Sequence, residues 1–523
     1  MPTSSEQQTG KVVSFIDIGT NSIRLIIVRI NPNQSYAILR EEKESVRLGE
    51  KVFKTGYINQ KTIDYAVLVV KKFVEAAKGF GSSEIHAVAT STAREAYNRL
   101  DFIQRLSSEA NVDVRIISGK EEARLIYFGL SSGVHLQNNI AVFIDIGGGS
   151  TEIIIGDQKN FFDLESLGLG AIRLKDIFLS DSVEKPISEA VYNDMKRFVK
   201  KKMIRVIERV NPQLIQMAIG SSGTIINLAE ITAKYHGHDI IKNNLTLNYK
   251  ELKKTIQMLC TIPLNKRREV PGINPERADI IIPGAVILDC FMEDFNIKEL
   301  IVSYRDLRHG MIIDYLERHE GYTHRTTLSV RESSVLQLAK LFNVNMTHAR
   351  TVESIAIQLF EQTKKLRLHT YGDAELELLR YASVLHDIGN FISFRSHHLH
   401  SHYIINNAEL LGFDQTEIEI MATIVRYHRK KLPKKKDFMM TQLSRKDQQL
   451  VSVLSFILRL AEKLDRSHAH LVRNVRLKQG KKDTLSLILS CVDGQCELER
   501  WSVSADCEAF EKIFGMPLEV LVE

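Results

Sequence analysis

Two stretches of the chain carry the same arrangement of residues that could bind phosphate together with a metal ion. Phe15–Ile30 reads FIDIGTNSIRLIIVRI and Phe143–Asp157 reads FIDIGGGSTEIIIGD, so each is an apolar strand ending in Asp-x-Gly, then small polar residues, then a second apolar strand. Such a bend brings a carboxylate, backbone N–H groups and hydroxyls together, and these groups suit a phosphate chain with its metal ion. We therefore expect the two bends to face each other as a phosphate clamp.

The residues after each bend exclude the common nucleotide-binding loops. A Walker loop needs a lysine after its glycines and a helix behind them, and a dinucleotide fingerprint also opens a helix. Here largely β-branched apolar residues follow, at Ile23–Val28 and at Ile153–Ile155, and such runs are typical of strands. Both bends are therefore predicted to join strand to strand.

A pair of glutamates, Glu121 and Glu122, opens a predicted helix directly after the small turn Ser118-Gly119. The helix dipole stabilises a negative charge in the first turn of a helix. Acidic residues are common there, so these letters alone favour a capping role for both glutamates over a catalytic one.

Four segments in this order resemble the signature of the exopolyphosphatase/guanosine pentaphosphate phosphatase family: Asp17–Arg24, Ser118–Arg124, Asp145–Glu152 and Gly220–Thr224. The resemblance spans roughly the first three hundred residues, and the remainder resembles the extra helical domain of the family's long members. It implies a duplicated actin-like, sugar-kinase-like (ribonuclease H-like) fold, with the substrate between two lobes.

The resemblance also implies roles for individual residues. Glu122 would be the base that takes a proton from water as it attacks the terminal phosphorus, and Glu121 would be the capping residue. Arg94 matches an arginine of the family and would clamp oxygens of the leaving group bidentately. For Arg94 the alternative is an ordinary surface helix arginine.

The carboxylates Asp17, Asp145 and Glu152 would form the metal group. They would hold Mg²⁺ (or Mn²⁺) together with phosphate oxygens and waters, with Glu152 acting through water. Hydrogen bonds that stabilise the turns are a compatible role for Asp17 and Asp145. The predicted phosphate-binding residues of the two bends are Thr20, Asn21, Ser22, Gly148, Gly149, Ser150 and Thr151.

A third small-residue turn, Gly220-Ser-Ser-Gly-Thr224, is a weaker signal because such turns are common. In kinases of the related fold the equivalent turn holds the base or sugar of a nucleotide. Here Ser222, Gly223 and Thr224 would pass a phosphate chain or hold the guanosine end of a substrate.

The second half of the chain carries a separate set of metal-ligand residues: His348, His386, Asp387, His402, His428 and Asp465. His402 ends a histidine-rich run that is expected to be a loop. The set resembles the ligand order of the His-Asp (HD) metal-dependent phosphohydrolases, which implies one or two transition-metal ions between neighbouring helices. The alternative is that these residues are remnants packing a helical core. Because long family members are thought to use this domain structurally, the main active site is expected in the lobes.

Two basic clusters could guide a polyanion. Arg426–Lys436 reads RYHRKKLPKKK and includes His428, whereas Lys196–Arg205 lies along one predicted helix. Polyphosphate carries about one negative charge per unit, so such clusters would bind it in a salt-dependent way. For Lys196–Arg205 we prefer the alternative of a solvated helix face.

The elements that must position these residues form an α/β protein with four predicted domains. Two lobes that alternate strands with helices come first, then a helical HD-like domain after a linker at Arg318–Thr327, then a small α+β domain with strands at Leu485–Leu489 and Cys496–Val503. The predicted domains are 11–134, 135–315, 325–471 and 472–523.

The composition and charge of the chain restrict the kinds of protein that it can be. The chain has 523 residues, 44% of them hydrophobic, and a net charge of only +6. The five cysteines are odd in number and form no C-x-x-C pair, so reduced thiols are expected. No apolar run approaches the ~20 residues that cross a bilayer, and Met1–Gly10 does not resemble a signal peptide. We expect a soluble, cytoplasmic protein with no membrane partner and no specific nucleic acid.

Together these expectations predict an Mg²⁺-dependent exopolyphosphatase that releases terminal orthophosphate from inorganic polyphosphate by in-line attack of water. The alternative within the class is that guanosine pentaphosphate is the main substrate. Two alternatives from other classes are an ATP-dependent kinase and a non-catalytic sensor of polyphosphate or of guanosine penta- or tetraphosphate. Intact Glu122, Asp145 and Glu152 argue against the sensor. The resemblance further suggests a homodimer.

Overall fold

The computed structural model of the protein describes residues 10–33, 35–179, 184–210, 212–240, 245–319, 329–408, 410–411, 413–434, 436–480 and 484–523. The chain divides into two compact units, Met1–Val330 and Arg331–Glu523. Most of the predicted linker Arg318–Thr327, with the predicted domain boundary at 325, lies outside the described residues. The finer division into four domains stays a prediction.

The first lobe of the first unit alternates strands and helices. Its elements are β1 (Lys11–Ile18), β2 (Ile23–Ile30), β3 (Tyr36–Glu44), α1 (Val52–Thr55), α2 (Gln60–Gly79), β4 (Glu84–Ala89), α3 (Ser91–Glu95), α4 (Arg99–Ala110), β5 (Val114–Ile116) and α5 (Gly119–Ser131). The sheet order is β3-β2-β1-β4-β5, with β1, β2 and β3 antiparallel and β4 and β5 parallel to β1. The first bend is therefore a hairpin at the centre of the sheet.

The second lobe repeats this plan. Its elements are β6 (Ala141–Ile146), β7 (Thr151–Gly156), β8 (Phe161–Leu167), α6 (Ala171–Phe178), α7 (Glu189–Arg209), β9 (Met217–Ser221), α8 (Ser222–His236), β10 (Thr246–Asn248), α9 (Tyr249–Thr261), α10 (Leu264–Arg267), α11 (Ile281–Asp294), β11 (Glu299–Val302) and α12 (Leu307–His319). The sheet order is β10-β11-β9-β6-β7-β8, with β6, β7 and β8 antiparallel and β9 and β11 parallel to β6.

The two lobes share one topology, which confirms the duplication predicted from the repeated hairpins. Each central hairpin is flanked by a third antiparallel strand on one side and by parallel strands on the other. The bends are also closed alike, because the Gly19 amide donates to the Ser22 carbonyl at 3.1 Å and the Gly147 amide donates to the Ser150 carbonyl at 2.9 Å. Asp17 and Asp145 therefore occupy equivalent positions, each at the end of the first strand.

The second unit contains a helical part followed by a small α+β part. Its elements are α13 (Val330–Leu341), α14 (Met346–Lys365), α15 (Asp373–Leu385), α16 (His397–Asn407), α17 (Gln415–Tyr427), α18 (Phe438–Thr441), α19 (Arg445–Lys463), β12 (Val472–Gln479), β13 (Leu485–Cys491), α20 (Glu497–Ser504), α21 (Cys507–Phe514) and β14 (Leu518–Val522). One hydrophobic core joins buried residues of the helices, such as Leu454, to residues of the sheet, such as Leu487. The predicted fold class is confirmed in both units.

Three predictions about this second unit were wrong. Cys496–Val503 was expected as a strand, yet α20 forms there, because Glu497 and Glu499 give its first turn the acidic residues that favour a helix start. The cysteines were expected to be reduced, but Cys491 and Cys496 form a disulfide bond between the end of β13 and the start of α20. The histidine-rich run, expected as a loop, is the first part of α16. In the part of the chain that the structure describes, no helix is long and apolar enough to span a bilayer.

Candidate active site

A cleft with a cavity volume of about 90 Å³ lies between the two lobes of the first unit. Both hairpin bends, the third turn and the predicted base line this one cleft. The predicted site residues along its wall are Asp17, Thr20, Asn21, Ser22, Glu122, Asp145, Gly148, Gly149, Ser150, Ser222, Gly223 and Thr224. Residues far apart in the sequence therefore converge in one place.

The two hairpin bends touch each other directly. A Cβ atom at Gly148 would lie 2.9 Å from Thr20 Cγ2, and one at Gly149 would lie 2.9 Å from Thr20 Oγ1 and 2.6 Å from Ser91 Oγ. Such distances are too short for a side chain, so glycine allows the backbones to approach. In the described part of the chain, the amides of Gly148 and Gly149 donate to no protein group, which leaves them available to an anion.

Glu122 lies in the first turn of α5, where Ser118 caps the helix by accepting from the amide of Glu121 at 3.2 Å. The Glu122 side chain is buried and forms an ion pair with Arg94, with 2.7 Å between Arg94 Nη1 and Glu122 Oε2. Burial raises the pKa of Glu122, and the charge of Arg94 acts against that rise. The cleft thus holds a carboxylate of raised basicity beside a guanidinium.

Glu121 was predicted to cap helix α5, and this prediction was wrong. Ser118 caps the helix, and Glu121 instead forms an ion pair with Arg124, which also contacts Asp314 of α12 at 2.9 Å. A glutamate one residue along the helix points about 100° away, so the two neighbours cannot both face the cleft. The separate destinations of Glu121 and Glu122 follow from this geometry.

Helix α12 fixes the position of α5. A Cβ atom at Gly310 would lie 1.8 Å from the Leu125 carbonyl oxygen, and one at Gly129 would lie 2.4 Å from the Asp306 carbonyl oxygen. Two glycines therefore let the helices approach closely, which holds Glu122 at the cleft.

Of the predicted metal-binding carboxylates, Asp17 and Asp145 are partly buried and Glu152 is buried, and their charges repel one another. Burial raises the pKa of Asp17 to about 7 and that of Asp145 to about 7, with Asp306 and Glu122 adding repulsion in both cases. Burial, followed by the charges of Glu122 and Asp145, raises the pKa of Glu152 well above its ordinary value. Asp17 Oδ1 is a buried acceptor to which no group of the described residues donates. A divalent cation would relieve this repulsion and satisfy that oxygen, so the residues fit the predicted ion.

Three predicted site residues lie outside the cleft wall. Arg94 reaches the site through Glu122, and Glu152 is buried behind it, where Ser166 donates to its Oε1 at 2.7 Å. Thr151 was predicted to contact phosphate, but its hydroxyl donates to the Leu169 carbonyl at 2.9 Å. Thr151 already belongs to β7, whose alternation turns its side chain away from the bend.

Sequence reasoning missed the arginines of the cleft. Arg24 and Arg277 line it, and Arg24 forms an ion pair with Asp306 at 2.7 Å. Arg277 is buried, and among the described residues it has no ion-pair partner. Its Nη1 donates a long hydrogen bond of 3.5 Å to Thr224 Oγ1. Burial, with a smaller contribution from Arg24, lowers the pKa of Arg277 to about 10. A buried guanidinium without a carboxylate is an unsatisfied site for an anion.

The third turn shows backbone strain. Ser222 has φ of +95°, a conformation that non-glycine residues rarely adopt, and its hydroxyl accepts from the Thr224 amide at 3.2 Å. Gly223 lies against Arg277, because a Cβ atom there would be 2.3 Å from Arg277 Nη2. Strain of this kind is frequently held at functional sites.

A second cavity of about 360 Å³ adjoins the cleft and shares Arg24, Ser222, Gly223, Arg277 and Asp306 with it. It extends toward further polar residues: Glu41, Glu42, Lys43, Asn227, Glu230, Asn274 and Tyr304. The cleft therefore continues into a space large enough for more than a phosphate group.

The second unit brings together most of the predicted HD-like residues. Ligand atoms of His348, His386 and Asp387 lie within 4.8 Å of one another, and so do those of Asp387, His397 and His428. Asp465 contacts His348 Nδ1 at 2.7 Å. His402 belongs to neither group, and His397, which was not predicted, takes part instead. No sequence signal distinguishes these two histidines until the start of α16 is known.

The basic helix α7 is engaged in ion pairs. Lys196 contacts Asp289 at 2.9 Å and Glu293 at 3.0 Å, and Lys200 contacts Glu293 at 2.6 Å. Lys196 and Lys200 are thus paired with acidic side chains, and the preferred alternative of a solvated helix face for Lys196–Arg205 stays a prediction.

Comparison with protein families gives two matches. The sequence model described as the Ppx/GppA phosphatase family matches residues 26–319, and the one described as Ppx/GppA phosphatase, domain III, matches residues 330–505. Among curated proteins, the chain is 27% identical over 426 residues to a guanosine-5′-triphosphate,3′-diphosphate pyrophosphatase of Pseudoalteromonas atlantica, which covers 81% of the chain and 80% of that protein.

Solved structures resemble somewhat more than half of the chain. An exopolyphosphatase from Cytophaga hutchinsonii is 27% identical, with a TM-score of 0.55, covering 59% of the chain and 98% of that protein. The Ppx/GppA family member from Aquifex aeolicus is also 27% identical, with a TM-score of 0.50, covering 59% of the chain and 99% of that protein.

Proposed function

The chain belongs to the Ppx/GppA phosphatase family, and from the geometry of its cleft we propose that it releases terminal orthophosphate from inorganic polyphosphate. The observation that carries the proposal is the convergence of two hairpin bends, a third turn and Glu122 on one cleft. The bends offer backbone amides and hydroxyls for phosphate oxygens, and Glu122 offers a base for water.

In the proposed reaction, Glu122 takes a proton from a water molecule that attacks the terminal phosphorus in line with the departing chain. Its burial raises its basicity, and its ion pair with Arg94 fixes its orientation. The amides of Gly148 and Gly149 and the guanidiniums of Arg24 and Arg277 hold the phosphate oxygens as charge develops on them.

The family is generally dependent on a divalent metal ion. We propose Mg²⁺ or Mn²⁺ bound by Asp17 and Asp145, with Glu152 behind them. Such an ion would neutralise charge on the phosphate oxygens.

A second candidate substrate is guanosine pentaphosphate. The adjoining cavity supports it, because this space shares Arg277 and Gly223 with the cleft and offers carboxylates such as Glu230 that could accept from the N–H groups of guanine. The curated relative from Pseudoalteromonas atlantica carries the name of such an activity. The kcat/KM values for polyphosphate and for guanosine pentaphosphate, measured side by side, decide which substrate dominates. The cytoplasmic homodimer that the resemblance suggests stays a prediction.

Replacing Arg94 by methionine is predicted to move the acid limb of kcat/KM to higher pH. Arg94 holds the pKa of Glu122 down against the effect of burial, so its removal raises that pKa, and the base becomes deprotonated only at higher pH. The measurement is the pH profile of kcat/KM for wild type and Arg94→Met, in which the position of the limb is read independently of the rate.

The matched control is Arg94→Lys, which keeps the charge and should shift the limb less. If the acid limb of Arg94→Met lies at the same pH as that of wild type, the pKa of Glu122 does not determine the limb.

A further inference from the structure

The second unit carries a surface on which exposed rings and unpaired cations lie side by side, and which the proposed reaction in the lobes does not use. It is formed by the loop at 391–396 with the following helix α16, and by the loop at 429–434 after α17. We call it the aromatic–basic surface. Two contacts join its loops: the guanidinium of Arg429 lies 5.6 Å from the centre of the Phe394 ring, and Lys430 Nζ donates to Ser396 Oγ at 3.3 Å.

Large apolar side chains of this surface are open to solvent. The exposed fraction is 59% for Phe391, 73% for Phe394 and 65% for Tyr403, and Ile392 and Leu399 are exposed as well. Leu399 and Tyr403 are four residues apart on α16 and therefore share its outer face. Burial of such side chains is favourable, so a group of them at the surface indicates a place where a partner binds.

The cations of this surface lack acidic partners. Residues 388–407 contain no aspartate or glutamate, and Arg426–Lys436 contains two arginines, five lysines and no acidic residue. Among the described residues, no carboxylate forms an ion pair with these side chains of the surface: Arg395, Arg429, Lys430, Lys431, Lys434 and Lys436. The adjacent acid, Asp437, instead accepts from the Tyr427 hydroxyl at 3.0 Å and from the Lys434 amide at 3.1 Å.

The basic helix α7 shows the contrast. Its Lys196 and Lys200 are both paired with Glu293, so their charges are already balanced within the protein. The cations of the aromatic–basic surface are not balanced in this way. A concentration of unpaired positive charge attracts a polyanion, with an affinity that falls as salt rises.

The exposed rings distinguish between kinds of polyanion. A chain of phosphates has no planar group, so it would contact the lysines and leave Phe391, Phe394 and Tyr403 uncovered. A bilayer surface accepts aliphatic and aromatic side chains alike. The unpaired bases of a single-stranded nucleic acid stack on aromatic rings while cations follow the backbone, whereas the bases of a duplex already stack on one another. Rings beside unpaired cations therefore favour a single strand.

We propose that the aromatic–basic surface binds single-stranded nucleic acid without preference for sequence. Bases stack on Phe391, Phe394 and Tyr403, and Lys430 and Lys431 contact the phosphates of the backbone. Every base has a face that can stack, so this mode of binding differs from sequence-specific recognition.

The test is the binding of a fluorescein-labelled oligouridylate of about 16 nucleotides, the upper end of the usual site size, to the full-length protein. Fluorescence anisotropy gives the dissociation constant at several salt concentrations. We expect saturable binding that weakens as salt rises, and weaker binding of an RNA duplex of the same length. A wild-type chain that does not bind the oligouridylate at low salt, or that binds the duplex equally well, would overturn the proposal.

Substitution of the rings by leucine tests stacking, because leucine is apolar but has no planar face. Phe394→Leu should weaken oligouridylate binding by about 5-fold or more, the smallest loss usual for one stacked base. Tyr403→Leu, on a different element, should act in the same direction. The matched control is Phe162→Leu, at a ring of β8 in the first unit that is also exposed, and it should bind as wild type does. Wild-type affinity in both Phe394→Leu and Tyr403→Leu would show that the rings do not bind bases.

Substitution of a lysine tests the contact with the backbone. Lys431→Gln should lower the slope of log affinity against log salt by about 0.7, the value for one phosphate of a single strand. The matched control is Lys201→Gln, at an exposed lysine of α7, which should leave the slope unchanged. An equal change of slope in both variants would contradict the assignment of this surface.

Two other occupants are tested with the same preparations. Phe394→Leu should leave the affinity for polyphosphate unchanged, because a phosphate chain does not stack. If Phe394→Leu weakens polyphosphate and oligouridylate equally, or if wild type binds phosphatidylglycerol vesicles but not the oligouridylate, the surface serves another partner and the proposal is wrong. Orthophosphate release in the lobes is a separate measurement, so this proposal and the proposed function can fail independently.

Discussion

Glu122→Gln is expected to reduce kcat for orthophosphate release by about 10²- to 10⁴-fold, the usual contribution of a general base. The amide has the same shape as the carboxylate but cannot accept the proton of the attacking water. Binding of polyphosphate should persist, because the bends and arginines that hold phosphate are unchanged. The measurements are steady-state kinetics and equilibrium binding of polyphosphate to the same preparation.

Glu121→Gln is the matched control for this variant. Glu121 is the neighbouring residue of α5, but it is paired with Arg124 and does not line the cleft. It should therefore keep kcat within a few-fold of wild type, since loss of an exposed or part-exposed ion pair costs little. Near-normal kcat in Glu122→Gln would remove the proposed base, and an equal fall in both variants would point to a disturbed helix instead.

Arg277→Met is expected to weaken polyphosphate binding and to lower kcat/KM by about 10- to 150-fold. This range corresponds to about 1.5–3 kcal/mol for a hydrogen bond to a charged group. Arg277 is buried in the wall shared by the cleft and the second cavity, and its pKa is lowered to about 10, chiefly by burial. The charge of Arg277 therefore does not stabilise the free protein, whereas a bound phosphate oxygen would pair with it.

The same variant should not unfold the protein. Removing a buried charge that lacks an ion-pair partner does not leave another charge unpaired, so the thermal midpoint should be maintained or raised. Arg268→Met, at an exposed position of the same lobe, is the control and should bind polyphosphate normally. Unchanged KM in Arg277→Met would mean that this arginine does not contact the phosphate chain.

The sequence predicted the parts of the site that are local. Each hairpin bend is fixed by its own residues, since Asp-x-Gly ends one apolar strand and an apolar run starts the next, so the equivalence of Asp17 and Asp145 could be read from the chain. The first turn of α5 is equally local. These local features also placed Glu122 at the start of a helix, and the duplicated topology then brought it to the cleft.

The parts that the sequence did not predict depend on tertiary packing or on helix phase. Arg277 follows Asn274-Pro-Glu in a segment without a motif, and only the fold brings it beside Gly223. In the run His397–His402, the histidine that joins the cluster depends on where α16 begins, because five residues along a helix turn the side chain by about 140°. A contact between Cys491 and Cys496 likewise required the turn between β13 and α20 to be known.

The release of orthophosphate from long-chain polyphosphate by the purified full-length protein tests the central claim most directly. With Mg²⁺ present, orthophosphate should be the only small product while the remaining polymer shortens from its ends, and release should stop on chelation. No orthophosphate with Mg²⁺, or fragments of intermediate length from internal cleavage, would contradict the assignment of the cleft as the site of terminal phosphate hydrolysis.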